Sequence, residues 1–191
     1  MADFREVLDF WFGPACSAEH GRPRDVWFKQ SDDFDAAIRT RFLDLHQQGA
    51  DGGLRQWRAA PESLLALILV LDQFPRNLFR GGSRAFSTDT QALAAAQLAV
   101  AGRHDRGLSP VQRWFVYLPF EHAEDLAMQR QCLELFDGLR EDRASAGTID
   151  YARRHFEIIA RFGRFPHRNA ALGRLSTPEE IEFLRQPGSG F

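Results

Sequence analysis

Eight consecutive apolar residues, Leu64-Leu65-Ala66-Leu67-Ile68-Leu69-Val70-Leu71, constrain this chain more than any other feature. A helix built on them is greasy on every face, and such a helix is stable only inside a jacket of other helices. The run is far shorter than the roughly 20 apolar residues that span a bilayer. It therefore reads as the central helix of a soluble fold, and the rest of the chain must supply its neighbours.

The neighbours announce themselves by their starts. Ser109-Pro110-Val111-Gln112 and Thr177-Pro178-Glu179-Glu180 each offer a capping box with Pro at the first helical position. Thr88-Asp89-Thr90-Gln91 is a version without Pro, and Ser31-Asp32-Asp33 and Thr148-Ile149-Asp150 give two further N-caps followed by acids. These signals predict helices over 3–12, 32–48, 62–74, 89–101, 110–138, 149–162 and 178–185, with a short turn around Leu54-Arg55-Gln56-Trp57. Pro119 is expected to kink the long helix from 110. Gly/Pro-rich breaks fall at 13–24, 49–53, 80–84 and 163–174, and none resembles an interdomain linker. No segment alternates as a strand does. The expectation is one all-α domain over 1–191, of about seven to nine helices packed as antiparallel hairpins.

Composition excludes several classes of function. A chain of 191 residues with 44% hydrophobic residues can bury a core without staples. Cys16 and Cys132 lie outside any CxxC or CxxH spacing, so neither a disulfide framework nor a structural zinc site is expected. The start of the chain carries acids early and no apolar h-region, which argues against a signal peptide and for a cytoplasmic location. A net charge of −2 gives no reason to seek nucleic acid, and nothing suggests a membrane surface. Arg supplies all basic residues except Lys29. Bidentate anion recognition would favour that choice, and so would GC-rich codon usage.

Two stretches echo one another. Asp72-Gln73-Phe74-Pro75-Arg76-Asn77 leads through a Gly-containing loop to Ser87-Thr88, and Gly163-Arg164-Phe165-Pro166-His167-Arg168-Asn169 leads through another to Ser176-Thr177. Each follows an apolar helix, with Pro as its stop and Arg-Asn where the chain leaves the core. Glu121 to Asp142 holds seven acids against Arg130 and Arg140, whereas Tyr151 to Arg174 holds six Arg, two His and one acid. Antiparallel packing of these two segments would pair the charges.

Asp72, in the last turn of the buried helix, sits where the macrodipole disfavours a carboxylate, so Arg76, Arg164 or Arg168 is expected to compensate it. Arg113, Tyr117, Glu121 and Asp125 recur at four-residue spacing on one face beside Pro119, with His122 and Glu124 adjacent. This supports either an acid–base cleft or a hydrogen-bonded helix joint. His122, His155 and His167, with Glu121, Glu124 or Asp72, raise the question of a metal. None of the spacings matches HExxH, a di-iron Glu-x-x-His pair or an EF-hand, so no metal and no cofactor is expected.

Leu8-Asp9-Phe10-Trp11-Phe12-Gly13, Leu71-Asp72-Gln73-Phe74-Pro75-Arg76-Asn77, Tyr117-Leu118-Pro119-Phe120-Glu121-His122-Ala123-Glu124 and Arg161-Phe162-Gly163-Arg164-Phe165-Pro166-His167-Arg168-Asn169 occur in this order. Together they resemble the bacterial family called domain of unknown function 924 (DUF924). Ala123 stands where the family's Glu-His-Ser-Glu stretch has Ser. The resemblance implies an all-helical fold similar to tetratricopeptide (TPR-like) proteins, and it implies no activity.

The leading expectation is a cleft that holds a small anionic ligand and works by acid–base chemistry. Glu121, His122 and Asp72 are its candidate catalytic residues. Arg76, Asn77, Arg164, His167, Arg168, Asn169 and Tyr117 are its candidate ligand-binding residues. The alternative is a TPR-like module for a protein or peptide partner, with the same motifs as its structural polar core. An exposed apolar patch would point to a homodimer.

Overall fold

The computed structural model describes residues 3–190. Every residue from Ser63 to Pro75 is buried, and the apolar run forms the axis of an all-helical fold. The helices are α1 (Phe4–Phe12), α2 (Asp32–Ala50), α3 (Pro61–Ile68), α4 (Phe74–Leu78), α5 (Asp89–Ala101), α6 (Pro110–Glu121), α7 (Leu126–Asp137), α8 (Ala146–Phe162) and α9 (Pro178–Leu184). Short 3-10 turns cover Asp25–Trp27, Arg55–Ala59, Ser83–Phe86, His104–Gly107, Arg143–Ser145 and Pro166–Arg168. Helices α1, α5 and α6 pack on α3, and α2 packs on α4 and on the turn that precedes it. Trp11 fills the centre of this jacket, in ring contact with Trp27, Phe34, Phe74 and Phe115. Among the described residues no helix is long and apolar enough to cross a membrane.

The first Phe-Pro motif does not stop its helix. Leu69–Gln73 widens into a π turn, marked by the Phe74 N–H donating to the Leu69 carbonyl, and α4 continues through Pro75 to Leu78. The wider turn carries the chain past a proline that would otherwise clash with the preceding turn. Three carbonyls on it find partners from outside the backbone ladder. His46 Nδ1 lies 3.0 Å from the Val70 oxygen, the Thr88 hydroxyl donates to Leu71 over 2.5 Å, and the Arg76 guanidinium donates to Asp72. Thr88 therefore does not cap α5 with its side chain, because its hydroxyl replaces the N–H that Pro75 lacks.

The expected helix 110–138 is two helices, and the break falls after Pro119 rather than at it. Asp125 accepts from the N–H groups of Ala127 and Met128 and so starts α7. The Gln129 amide donates to the carbonyls of Glu121 and Ala123 and closes the end of α6. Helix α8 begins before Thr148, at Ala146, and the Thr148 hydroxyl turns back onto the Ser145 carbonyl. The Ser109 and Thr177 capping boxes and the Ser31 cap form as expected.

A main apolar core runs from Val7 to Ala152, and a small satellite of Ile158, Ile159 and Phe165 gathers Leu126, Phe162 and Phe183. Helix α7 packs along α8. The expected charge pairing between the acidic and basic segments is made in one place, by Arg174 with Glu124, while His155 meets Glu121 at 3.1 Å as an imidazole that burial keeps neutral. Arg161 and Arg164 turn instead to Glu179 and Glu180, because the Thr177 capping box sets those acids in the first turn of α9 beside them.

Candidate functional site

Polar side chains meet where the π turn, the end of α6, α8 and the 3-10 turn Pro166–Arg168 converge. Asp72 is fully buried. One of its oxygens lies 2.8 Å from His122 Nδ1 and 3.4 Å from Arg76 Nη1, and the other accepts from the Gln73 amide at 2.6 Å. Burial by itself would push this carboxyl up. Arg76, His122 and the hydrogen bonds from His122 and Gln73 outweigh it and hold Asp72 well below the usual carboxylate range. Burial, with Arg76 beside it, lowers His122 from its ordinary value. A neutral His122 that donates its Nδ1–H to Asp72 keeps its lone pair on Nε2, which is the tautomer of a general base.

Arg76 also grips Asp89, the first residue of α5, with both terminal nitrogens at 2.9 and 3.1 Å. Arg168 reaches the same carboxylate at 3.2 Å and the His122 carbonyl at 3.1 Å. The two Arg of the sequence echo thus converge on one acid. The Arg168 guanidinium is sandwiched by the rings of Phe86 and Phe165, 4.7 and 4.5 Å from their centroids, and its buried Nε has no hydrogen-bond partner among the described residues. Burial, with Arg76 close by, lowers Arg168 to about 10. Glu124 receives a bidentate pair from Arg174 at 2.6 and 2.9 Å and the Phe165 N–H at 2.7 Å.

Behind His122 stands Glu121, also buried. His155 Nδ1 lies 3.1 Å from its Oε1 and 2.9 Å from the Tyr151 carbonyl. Burial, then the nearby Asp72 charge, pushes Glu121 up to about 8. Burial drives His155 down to about 3, and burial with Arg168 drives His167 down to about 4. Side-chain exposure is graded from 20% at Arg76 and Asp89 through 13% at His122 to 3% at Glu121 and none at Asp72. The most exposed groups are Arg76 and Asp89, with His122 next, while Arg168, at 7%, Glu121 and Asp72 lie deeper.

Of the residues singled out in the sequence, the fold brings together Asp72, Arg76, Glu121, His122, His167 and Arg168. Tyr117 lies apart, donating to Asp105 at 2.8 Å and accepting from Arg113 at 2.9 Å. Arg164 does not compensate Asp72, being held by Glu180. Asn77 donates to Asp35, and Asn169 to Ser176 and Glu180. The expected four-residue stripe dissolves because Tyr117 points to Asp105 and Asp125 leaves the helix to cap α7. Asp89 was not legible as a site residue. Its one signal is an acid in the first echo where the second has Pro178. Among the described residues no group of three His, Cys, Asp or Glu is arranged to hold a metal ion.

The family model described as a bacterial protein of unknown function (DUF924) matches residues 7–188. The chain belongs to this family. A solved structure described as a protein of unknown function, ATU0120 from Agrobacterium tumefaciens, is 40% identical to this DUF924 chain. The likeness covers 95% of this chain and 96% of that one, with a TM-score of 0.84. Among curated proteins nothing matches. The four DUF924 stretches divide by task here. The first places Trp11 and Phe12 in the core, and the other three supply Asp72, Arg76, Glu121, His122, His167 and Arg168 to the polar cluster.

Proposed function

We propose that the Asp72–His122 pair is the proton-exchanging centre of a site for a small anion, with Arg76 and Arg168 as its clamp. The carrying observation is the 2.8 Å contact between a fully buried carboxylate and Nδ1 of an imidazole that still reaches the surface. Asp89 takes the place of the anion between the two guanidinium groups. Asp72 and Asp89 balance Arg76 and Arg168, so an incoming dianion such as sulfate leaves the cluster with two negative charges in excess. Protonation of His122, facing Asp72, Arg76, Asp89, His155, His167 and Arg168, offsets one of them, so binding should draw about one proton from solvent.

Isothermal titration with sulfate in buffers of different ionisation enthalpy tests this, because sulfate itself does not titrate in the neutral range. The expected result is uptake of about one proton per anion. Uptake should be lost in His122→Gln, and binding should be lost in Arg76→Gln. Absence of binding, or binding without proton uptake, would overturn the reading.

One observation favours a second reading, a TPR-like surface for a peptide or protein partner. Leu175 is 92% exposed and flanked in sequence by the exposed Leu172 and Ile181, while its backbone is fixed by Arg164. Sedimentation equilibrium of wild type beside Leu175→Ser tests self-association through this segment. A monomer in both would remove the homodimer form of it.

A further inference from the structure

Every acid of the cluster except one has an Arg. Asp72 has Arg76, Asp89 has Arg76 and Arg168, and Glu124 has Arg174. Among the described residues, the polar side-chain group nearest the Glu121 carboxyl (3% exposed) is the His155 imidazole N–H, which it shares with the Tyr151 carbonyl. Its second oxygen, Oε2, has no hydrogen-bond partner among the described residues, and neither has the buried Oε1 of Gln129. The Gln129 side chain already meets the Glu121 main chain, its amide donating to the Glu121 backbone carbonyl. An ionised carboxylate in such a place would be an uncompensated buried charge beside another, which native proteins avoid by keeping the proton. A proton on Oε2 also turns one of two unpaired acceptors into a donor.

We propose that Glu121 is carried as a neutral acid in the working protein, and that its proton is the condition for anion entry beside His122. The second half rests on the anion-site reading above, and the first half stands without it. The groups facing Glu121 are Asp72 on the π turn, Cys132 on α7 and His155 on α8, with His122 next in the chain. None of them is a fixed cation. Loss of the Glu121 proton therefore adds an unscreened negative charge behind the clamp, and an arriving anion is repelled. The proton leaves to solvent and returns from it, so the device reports external pH.

The infrared C=O band of a protonated carboxylic acid tests the first half on the wild-type protein alone. The band is expected in slightly acidic buffer, well above the ordinary range for glutamic acid titration, and should vanish in alkaline buffer. Glu121→Gln should lack it, and Asp72→Asn should lose it at lower pH than wild type, because the repelling charge that ionisation must overcome is gone. No such band in wild type, or an unchanged band in Glu121→Gln, would overturn the proposal. Sulfate titration tests the second half. Wild-type affinity should fall across the pH range in which the band disappears by on the order of tenfold more than His122 protonation alone requires, and that extra fall should be missing in Glu121→Gln. A present band with the same pH dependence of sulfate binding in wild type and Glu121→Gln, or no sulfate binding at all, would overturn the gating role and leave the neutral acid standing. An absent band with intact sulfate binding would remove the gate and spare the anion site.

Discussion

Between its ordinary value of 4.5 and about 8, Glu121 holds a proton in the folded protein that it has released in the unfolded one. The folded state then binds more protons, so stability falls as pH rises through this window. His155 and His167 act in the opposite sense. Their folded values, about 3 and about 4, lie below the ordinary 6.5, so the unfolded chain binds the extra protons and stability falls as pH drops below 6.5. His122 and His46, lowered as well, add to that acid limb. Urea midpoints measured across pH should therefore peak near neutrality. The decline on the alkaline side, on the order of 2 kcal/mol between pH 6.5 and 8, should flatten in Glu121→Gln. A second prediction concerns His122 in the folded protein at neutral pH. Its 15N resonances should show the neutral ring with the proton on Nδ1, and Asp72→Asn should disturb that tautomer.

At the scale of elements, the π turn is where local sequence and tertiary context meet most closely. Pro75 reads as a helix stop, yet the helix continues, because Thr88 from the next helix start supplies the Leu71 carbonyl with a donor. Thr88→Val should cost about 1–3 kcal/mol in urea unfolding, the usual loss when a buried acceptor is left unpaired. The same substitution should cost less in Pro75→Ala, where a backbone N–H is available to the Leu71 oxygen. The split between α6 and α7 has a cue in the sequence, since Asp125 is a sound N-cap. The competing cue, Pro119, suggested a kink within one helix rather than an end. Pro119 lies two residues before the end of α6, inside the buried segment Val116 to Phe120. Asp125→Ala should cost about 1 kcal/mol, measurable by the same unfolding assay.

Across the whole molecule, Asp89 joins the main core to the satellite of α8 and α9. It accepts from Arg76, fixed to the central helix, and from Arg168, fixed beside Phe165. Asp89→Asn should destabilise the protein by about 3 kcal/mol, because it leaves the buried Arg168 guanidinium without its carboxylate and takes one of two from the partly buried Arg76. Hydrogen exchange should rise first over residues 158–184, the part with the smaller apolar cluster. The cost of Arg168→Met should be smaller in the Asp89→Asn background than in wild type, which a double-mutant cycle in urea would show.

The all-helical class, the central position of the Leu64–Leu71 run, the Ser31, Ser109 and Thr177 starts and the polar character of Asp72, Arg76, Glu121, His122 and Arg168 were determined by the sequence itself. Each depends on hydrophobic periodicity or on groups within one turn of each other, and such effects are local. Tertiary structure alone decided that Arg168 joins Arg76 on Asp89, that Arg164 goes to Glu180, and that Tyr117 belongs to Asp105. An ion pair between residues 79 positions apart is chosen by where packing puts two helix ends, and any of several Arg could have served. Glu121 shows the same limit. Its residue type is written in the chain, but burial and then the nearby Asp72 charge push its carboxyl up to about 8, and only the folded arrangement sets both.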